Sequence, residues 1–413
     1  QLLAAGDCAP LVAALNDPSA HVRLAAIDAL GGPCPNGPAV AAWLERLARA
    51  APAGGAGAAR RGASWHVRAH VVVSLARIDA ARAAPLVRQD AASAVWQARM
   101  YAARAAAVLR DSATLTRLAF DSTGSVREAA IDGLVTVSGR AADPVFARAL
   151  ESADYHVVLA AARALRGTNA RDGLVSALLD ALDRISTERR ETSRDPRLEL
   201  LARIGELADG RAAARLTAYL RDFDPAVTER AAAILNRIAG GGTRHVAAPE
   251  RLPVDPRPVE ELRLRPATYL RVTMAPVHGG GSFVLRLHPA VAPATVARVV
   301  SLVRRGYYNG LTWHRVAPNF VIQGGSPAMN EYVGDGPFLR DELDGPTHAR
   351  GTVGISTRGR DTGDAQWFVN LVDNVRLDPD YTVFASVESG MEVVDGILEG
   401  DQMARVEVVS ISR

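Results

Sequence analysis

The sequence predicts a multidomain fold, an N-terminal all-α repeat solenoid followed by a closed antiparallel β-barrel with two capping helices. Three observations carry this. Residues 1–240 repeat a short motif with apolar positions at helical spacing, residues 241–267 are dense in Gly, Pro and charge, and the residues beyond Thr268 favour strands, with alternating segments at their start. At 413 residues the chain exceeds one ordinary hydrophobic core, so division into domains is expected.

Composition excludes several classes. A chain that is 48% hydrophobic and 23% charged is globular rather than disordered. A formal charge of +3 with no dense basic run gives no line of cations to follow a phosphate backbone, so no nucleic-acid partner is expected. All 48 basic residues are arginine, which with the heavy alanine usage reads as the codon bias of a GC-rich bacterial genome. The alanine-rich stretches are broken by Arg and Asp every few positions, so no membrane span is expected. The chain starts at Gln1 without Met, which suggests that an N-terminal segment has been removed.

In the first element, NDPSAHVRLAAIDALGG (16–32) returns as FDSTGSVREAAIDGLVT (120–136). Weaker copies begin near residues 64, 94, 154, 195 and 224. Their anchors Val22, Val67, Trp96, Val126, Val157, Leu198 and Val227 lie 45, 29, 30, 31, 41 and 29 residues apart, a core period near 30 with insertions. Each unit reads as two short helices, and Val22, Ala25, Ala26, Ala29 and Leu30 are expected to form the buried stripe of the first. One hairpin cannot bury such a stripe, so the units are expected to stack. The period and the Asp17/Arg23 and Asp121/Arg127 spacing resemble HEAT-like repeats, which implies a scaffold or a surface for a protein partner. His66 and His70 sit one turn apart without a third ligand at a metal-site spacing, so a structural role is expected. Cys8 and Cys34 fall at the same end of the first hairpin, so a disulfide is feasible and would indicate an exported location in a bacterial periplasm or envelope, the alternative being the cytoplasm.

The second element, 241–267, reads as an extended linker or strap. In the third, YLRVTMAPV and SFVLRLH alternate, the GGG at 279–281 permits a hairpin turn, and Phe283, Leu285 and Leu287 share a face. A helix is expected over 293–305, opened by Pro293 and closed by Gly306, and a shorter one over 390–398.

An arginine inside the apolar run WHRVAPNFVIQGG (313–325) needs a partner or a pocket, because desolvating an unpaired charge is costly. With LRDEL, HARGTVGISTRGRDTGDAQWFV and YTVFASVESGMEVVDGI following in order, the segment 268–413 resembles the cyclophilin-type peptidyl-prolyl isomerases. The resemblance implies an eight-stranded barrel with a proline groove on its outer face. It implies that Arg315 points into that groove, that Phe320 and Val321 form its wall, and that Gln323 binds substrate backbone and holds the arginine. It further assigns Gln366, Phe368, Leu377 and Tyr381 to the pocket, and the backbone of Ser356 and Thr357 to the flanking peptide. Ser356-Thr357, Val321 and Arg376 depart from the common pattern, the last where many members carry an aromatic.

The implied activity is cis-trans isomerisation of X-Pro bonds in proline-containing polypeptides, with no cofactor or metal required. Rotation about a peptide bond is opposed by a barrier of about 18–20 kcal/mol from amide resonance. A catalyst need only favour the twisted amide, and an arginine that donates to the prolyl nitrogen once resonance is lost does so. The alternative from another class is a scaffold that binds proline segments without turnover, for which the arginine would be unnecessary.

Overall fold

The computed structural model describes residues 8–33, 37–50, 65–169, 173–207, 210–250, 257–264, 267–276 and 280–410. The chain forms two compact units. One comprises residues 1–185 and 196–213, the other 186–195 and 214–413.

Among the described residues, fifteen α-helices precede the first strand, and the first fourteen fall into seven consecutive pairs. Each sequence anchor lies in the first turn or so of the second helix of a pair, as Val126 does in Gly124–Ser138 and Val157 in Tyr155–Ala164. In the first unit the second helices Ala20–Leu30, Trp65–Ile78, Trp96–Val108, Gly124–Ser138 and Tyr155–Ala164 pack each against the next. Apolar stripes too narrow to be stable alone are thereby buried in series.

The stripe expected for the first repeat is corrected. Leu24, Ala26, Ile27 and Leu30 are buried there, whereas Val22 is 41% exposed and Ala25 is exposed. Turning Leu24 and Ile27 inward removes more apolar area from water than turning Val22 and two alanines inward. The Asp/Arg spacing also works differently from a pair within one repeat. Arg99 clasps Asp121 of the following repeat through two bonds of 2.7 and 2.8 Å, and Arg127 reaches on to Asp154 at 3.6 Å. Arg23 instead donates to the backbone carbonyls of Asp17 and Pro18. His70 bonds Asp28 at 2.8 Å and the Tyr101 hydroxyl at 3.2 Å, and His66 stacks on Trp65. Among the described residues no group of three or more His, Cys, Asp or Glu side chains is placed to hold a metal. Cys8 is disulfide-bonded, and Cys34 lies outside the described residues. No described helix is long and apolar enough to cross a membrane.

Part of the stretch expected to be extended is helical. Arg257–Leu264 forms a helix that packs on Pro293–Arg304, with Glu261 meeting Arg304 at 3.0 Å. Pro258 near its start and Glu260 in its first turn both suit a helix N-terminus, a local signal that the overall Gly/Pro density obscures. Residues 245–250 do run extended, with Ala248 and Glu250 donating to the carbonyls of Leu220 and Asp222.

Eight strands form one antiparallel sheet: β1 (Tyr269–Met274), β2 (Ser282–Leu287), β3 (Arg315–Ala317), β4 (Val321–Gly324), β5 (Thr352–Ile355), β6 (Trp367–Asn370), β7 (Val383–Ser389) and β8 (Met403–Val409). Their order is β3-β4-β6-β5-β7-β2-β1-β8. The closed barrel expected from sequence is corrected to a half-barrel. β3 and β8 end the sheet without a ladder between them, and it is the residues ahead of β3, 310–313, that bond to 400–403, with an isolated bridge from Thr312 to Gln402. That bridge lies ahead of β3, whose own residues pair with β4 alone, so it is not extended into a ladder. Phe283, Leu285, Trp313, Ile322, Trp367 and Phe384 fill the core beneath the sheet. The helices Pro293–Arg304 and Met391–Asp395 complete this part, the first closed by Arg305 with Gly306 at φ +73°.

Candidate active site

The groove begins at the β3–β4 turn. Asn319 takes a left-handed φ of +59°, which reverses the chain in few residues and brings Arg315 opposite Gln323 across the two strands. On β6 the two-residue alternation then divides adjacent aromatics: Trp367 goes into the core, where it stacks on Trp313 at 6.0 Å, and Phe368 faces the groove. Room for the Phe368 ring comes from Gly354 on neighbouring β5, where any Cβ would collide with it.

A cavity of about 310 Å³ is lined by Arg315, Phe320, Val321, Gln323, Ser356, Thr357, Phe368, Leu377 and Tyr381, together with Glu331 and Arg358. Its apolar floor is braced from behind. Phe368 stacks on His348 at 5.8 Å and meets Tyr381 edge-on at 5.6 Å, and His348 is held by Asp378 at 2.9 Å. The Phe320 carbonyl accepts bonds from the Leu371 amide and the Asn374 side chain.

The polar side is a relay. Arg315 Nη1 donates to Gln323 Oε1 at 3.1 Å, and Gln323 Nε2 donates to Ser356 Oγ at 2.9 Å and to Gln366 Oε1 at 3.2 Å. Gln366 Nε2 then donates to the Val333 carbonyl at 3.1 Å, and its own amide is fixed by Asp364 Oδ1 at 3.0 Å. The chain of donors leaves Gln323 one orientation, with its carbonyl toward the arginine. Gln366 thus stands behind the cavity wall. The Ser356 amide donates to the Gln366 carbonyl at 2.8 Å, and the Ser356 hydroxyl belongs to the relay.

Charge is concentrated at the rim. Glu331 approaches Arg315 Nε at 3.5 Å, with both side chains over 40% exposed, so the pair is weakly held. The Arg376 guanidinium lies 4.7 Å over the Phe320 ring, and that of Arg315 5.8 Å from it. His314 shuts both ring nitrogens away from solvent, and burial beside the Arg315 charge lowers its pKa to about 4. It is neutral at pH 7. Burial likewise lowers the pKa of His348 in spite of Asp378 and raises that of the enclosed Asp364 carboxyl. Sequence reasoning missed Glu331, Arg358, Gly354 and Asn374. Arg358, two residues beyond Ser356, was within reach of the motif, whereas nothing local marks Glu331.

A family model described as cyclophilin type peptidyl-prolyl cis-trans isomerase/CLD matches residues 270–413, and a HEAT repeat model matches residues 8–32. Peptidyl-prolyl cis-trans isomerase B of Bacillus subtilis is 38% identical over 131 residues, 31% of this chain and 92% of the relative. A peptidyl-prolyl cis-trans isomerase of Helicobacter pylori is 39% identical over 125 residues, 29% of this chain and 77% of the relative. A solved cyclophilin-type isomerase from Cryptosporidium parvum aligns at 19% identity over 35% of this chain and 99% of its own, with a TM-score of 0.33. Sequence likeness over nearly the whole length of such a relative identifies the chain as a member of the cyclophilin-type peptidyl-prolyl cis-trans isomerases.

Proposed function

We propose that isomerisation takes place in the cavity at Arg315, on X-Pro segments of polypeptide clients, and that the helical repeats are a scaffold for a client or partner. The observation that carries the first part is the relay from Val333 through Gln366 and Gln323 to Arg315, beside an apolar floor. A prolyl ring on Phe320, Val321, Phe368 and Leu377 is held while the preceding carbonyl turns. Planar amide nitrogen is a poor acceptor. In the twisted state its lone pair is free, and the Arg315 guanidinium donates to it, a bond absent from the ground state. Each 1.36 kcal/mol or so of that preference accelerates rotation about tenfold. No bond is broken and no proton changes hands. Gln323 does double work, fixing the guanidinium through its carbonyl oxygen and bordering the peptide. The division into 1–240, 241–267 and 268–413 is proposed as the functional one, with the disulfide and an exported location as its setting.

Exchange NMR on a short X-Pro peptide tests the assignment. Arg315→Ala is expected to fold as the native protein and lose most line broadening between cis and trans; native-like exchange overturns it. The scaffold role predicts that a proline-containing client binds the full chain more tightly than residues 214–413 together with the 186–195 segment can account for by the isolated X-Pro motif. Equal affinity for the full client and for its minimal X-Pro peptide removes that role.

A further inference from the structure

The groove wall is anchored from a part of the chain remote in sequence. Residues 186–195 belong to the same compact unit as the sheet. Asp195 Oδ2 accepts from Arg358 Nε at 2.7 Å, Arg358 donates through Nη1 to the Glu331 carbonyl, and the Glu331 carboxylate faces Arg315 Nε at 3.5 Å. Three contacts therefore lead from Asp195 to the groove arginine. The anchor is built on both sides. Arg358 lies over the Tyr332 and Phe338 rings at 6.0 and 5.8 Å, and Arg194 covers Phe338 at 5.1 Å. The Phe338 amide donates to Glu191 Oε2 at 2.5 Å, and Arg194 Nε is itself tied to Asp224 at 2.6 Å.

From this geometry we infer that Asp195 is a positioning residue for the isomerase groove, holding Arg358 in the wall and away from the Glu331 carboxylate that Arg315 faces. The inference rests on the groove reading above. Arg358 is 14% exposed and Asp195 24%, so this pair is sheltered more than Glu331 and Arg315 are. A guanidinium gives up such a partner only for another anion. Neutralising Asp195 frees the Arg358 charge to swing toward Glu331 and the bound peptide. Glu331 is then shared between two arginines, and the wall beside Ser356 and Thr357 gains a mobile cation.

Two consequences are specific to this role. Asp195→Asn, which keeps the shape of the side chain, lowers kcat/KM about three- to ten-fold on a neutral X-Pro peptide, chiefly through KM, because the wall contributes to ground-state and twisted-state binding alike. Selectivity also shifts, since a freed cation favours an acidic residue before proline over a basic one by about three-fold or more. Asp195→Glu restores both.

The test is a double-mutant cycle with Arg358→Met in the full chain, measured on acidic, neutral and basic X-Pro peptides, with Arg315→Ala as the control. The expected result is that Asp195→Asn changes KM and selectivity in the native background and neither in the Arg358→Met background. Kinetics within two-fold of native on all three peptides, or an equal loss in both backgrounds, overturns the role. If Asp195→Asn does not fold, Arg358→Met alone decides: it must reproduce the KM increase, and unchanged KM refutes the inference. The control keeps the two readings apart. An inactive Arg315→Ala with an unaltered Asp195→Asn removes only the role of Asp195, whereas a fully active Arg315→Ala removes the groove reading and this one with it.

Discussion

Two arginines, one in the helical repeats and one in the half-barrel, show how opposite duties are given to the same side chain. Arg68 is 4% exposed, and each of its three nitrogens donates within the fold, to Asp90 at 2.7 Å, the Ala48 carbonyl at 2.8 Å and the Gln89 side chain at 2.9 Å. Arg315 is 43% exposed, with one neutral amide at 3.1 Å and a carboxylate at 3.5 Å. The first is shut away from any ligand, with every nitrogen engaged inside the fold. The second is aimed but unsatisfied, and that is what a groove residue needs. Burial with full pairing makes an arginine structural, and partial pairing at a rim leaves it available.

The comparison can be broken most severely at Arg68. Arg68→Met strands Asp90 in the interior without a counter-charge and is expected to cost about 3–5 kcal/mol of stability in the helical unit, with isomerase activity of the surviving folded fraction unchanged. Arg68→Met with Asp90→Leu is expected to recover most of it, as measured by denaturant unfolding. A cost below about 1 kcal/mol for the single variant shows that the pair is not the anchor its burial indicates.

Arg315→Ala is the mirror image. Stability should move by less than about 0.5 kcal/mol, the usual range for an exposed side chain, while kcat/KM falls about 100-fold, near 2.7 kcal/mol of lost transition-state binding. A large change in the melting temperature with turnover retained would exchange the two arginines' roles.

Gly354→Ala sharpens the comparison from the apolar side. The new methyl displaces the Phe368 ring from the floor, so kcat/KM is expected to fall about tenfold, with about 1–3 kcal/mol lost to overpacking. Native turnover would mean that the floor tolerates a moved Phe368.

The smallest effect is on pH dependence. The folded-state pKa of His314 is about 4 against 6.5 for a free imidazole, so between these values the unfolded chain binds a proton that the folded chain refuses. Stability from this group is present above pH 6.5 and is lost as pH falls toward 4. His348 acts in the same direction. Hydrogen-exchange protection of β4 amides at pH 7 and pH 4.5 should therefore differ less in His314→Gln than in the native protein. An equal difference would show that His314 does not carry the slope.

Much of the site was legible through the resemblance carried by WHRVAPNFVIQGG, and strand neighbours do become groove neighbours. Arg315, Phe320, Val321 and Gln323 lie within nine residues, and a short antiparallel turn suffices to bring them together. The resemblance alone separates Phe368 from Trp367, and the structure supplies the reason, since β6 turns Trp367 into the core and Phe368 to the groove. Glu331 was not legible, since it reaches the cavity through a loop whose path depends on contacts far away in the chain.

By itself the sequence determined the order of the parts and the spacing of the repeats, because these follow from periodicity, while the groove residues were legible through motifs that resemble a family. Tertiary structure alone decided which helix face is buried, whether the sheet closes, and who partners whom. The first-repeat stripe rotated to Leu24, Ile27 and Leu30, and the arginine pairs formed between repeats, because side-chain volume and charge are satisfied by whatever packing brings close. The sheet remained open because β3 pairs with β4 alone and only the residues ahead of it meet the start of β8, leaving a bridge where a ladder was expected. The link from Asp195 to Arg358 spans 163 positions of sequence, and no local pattern encodes a contact whose free energy exists only once both ends have been folded into place.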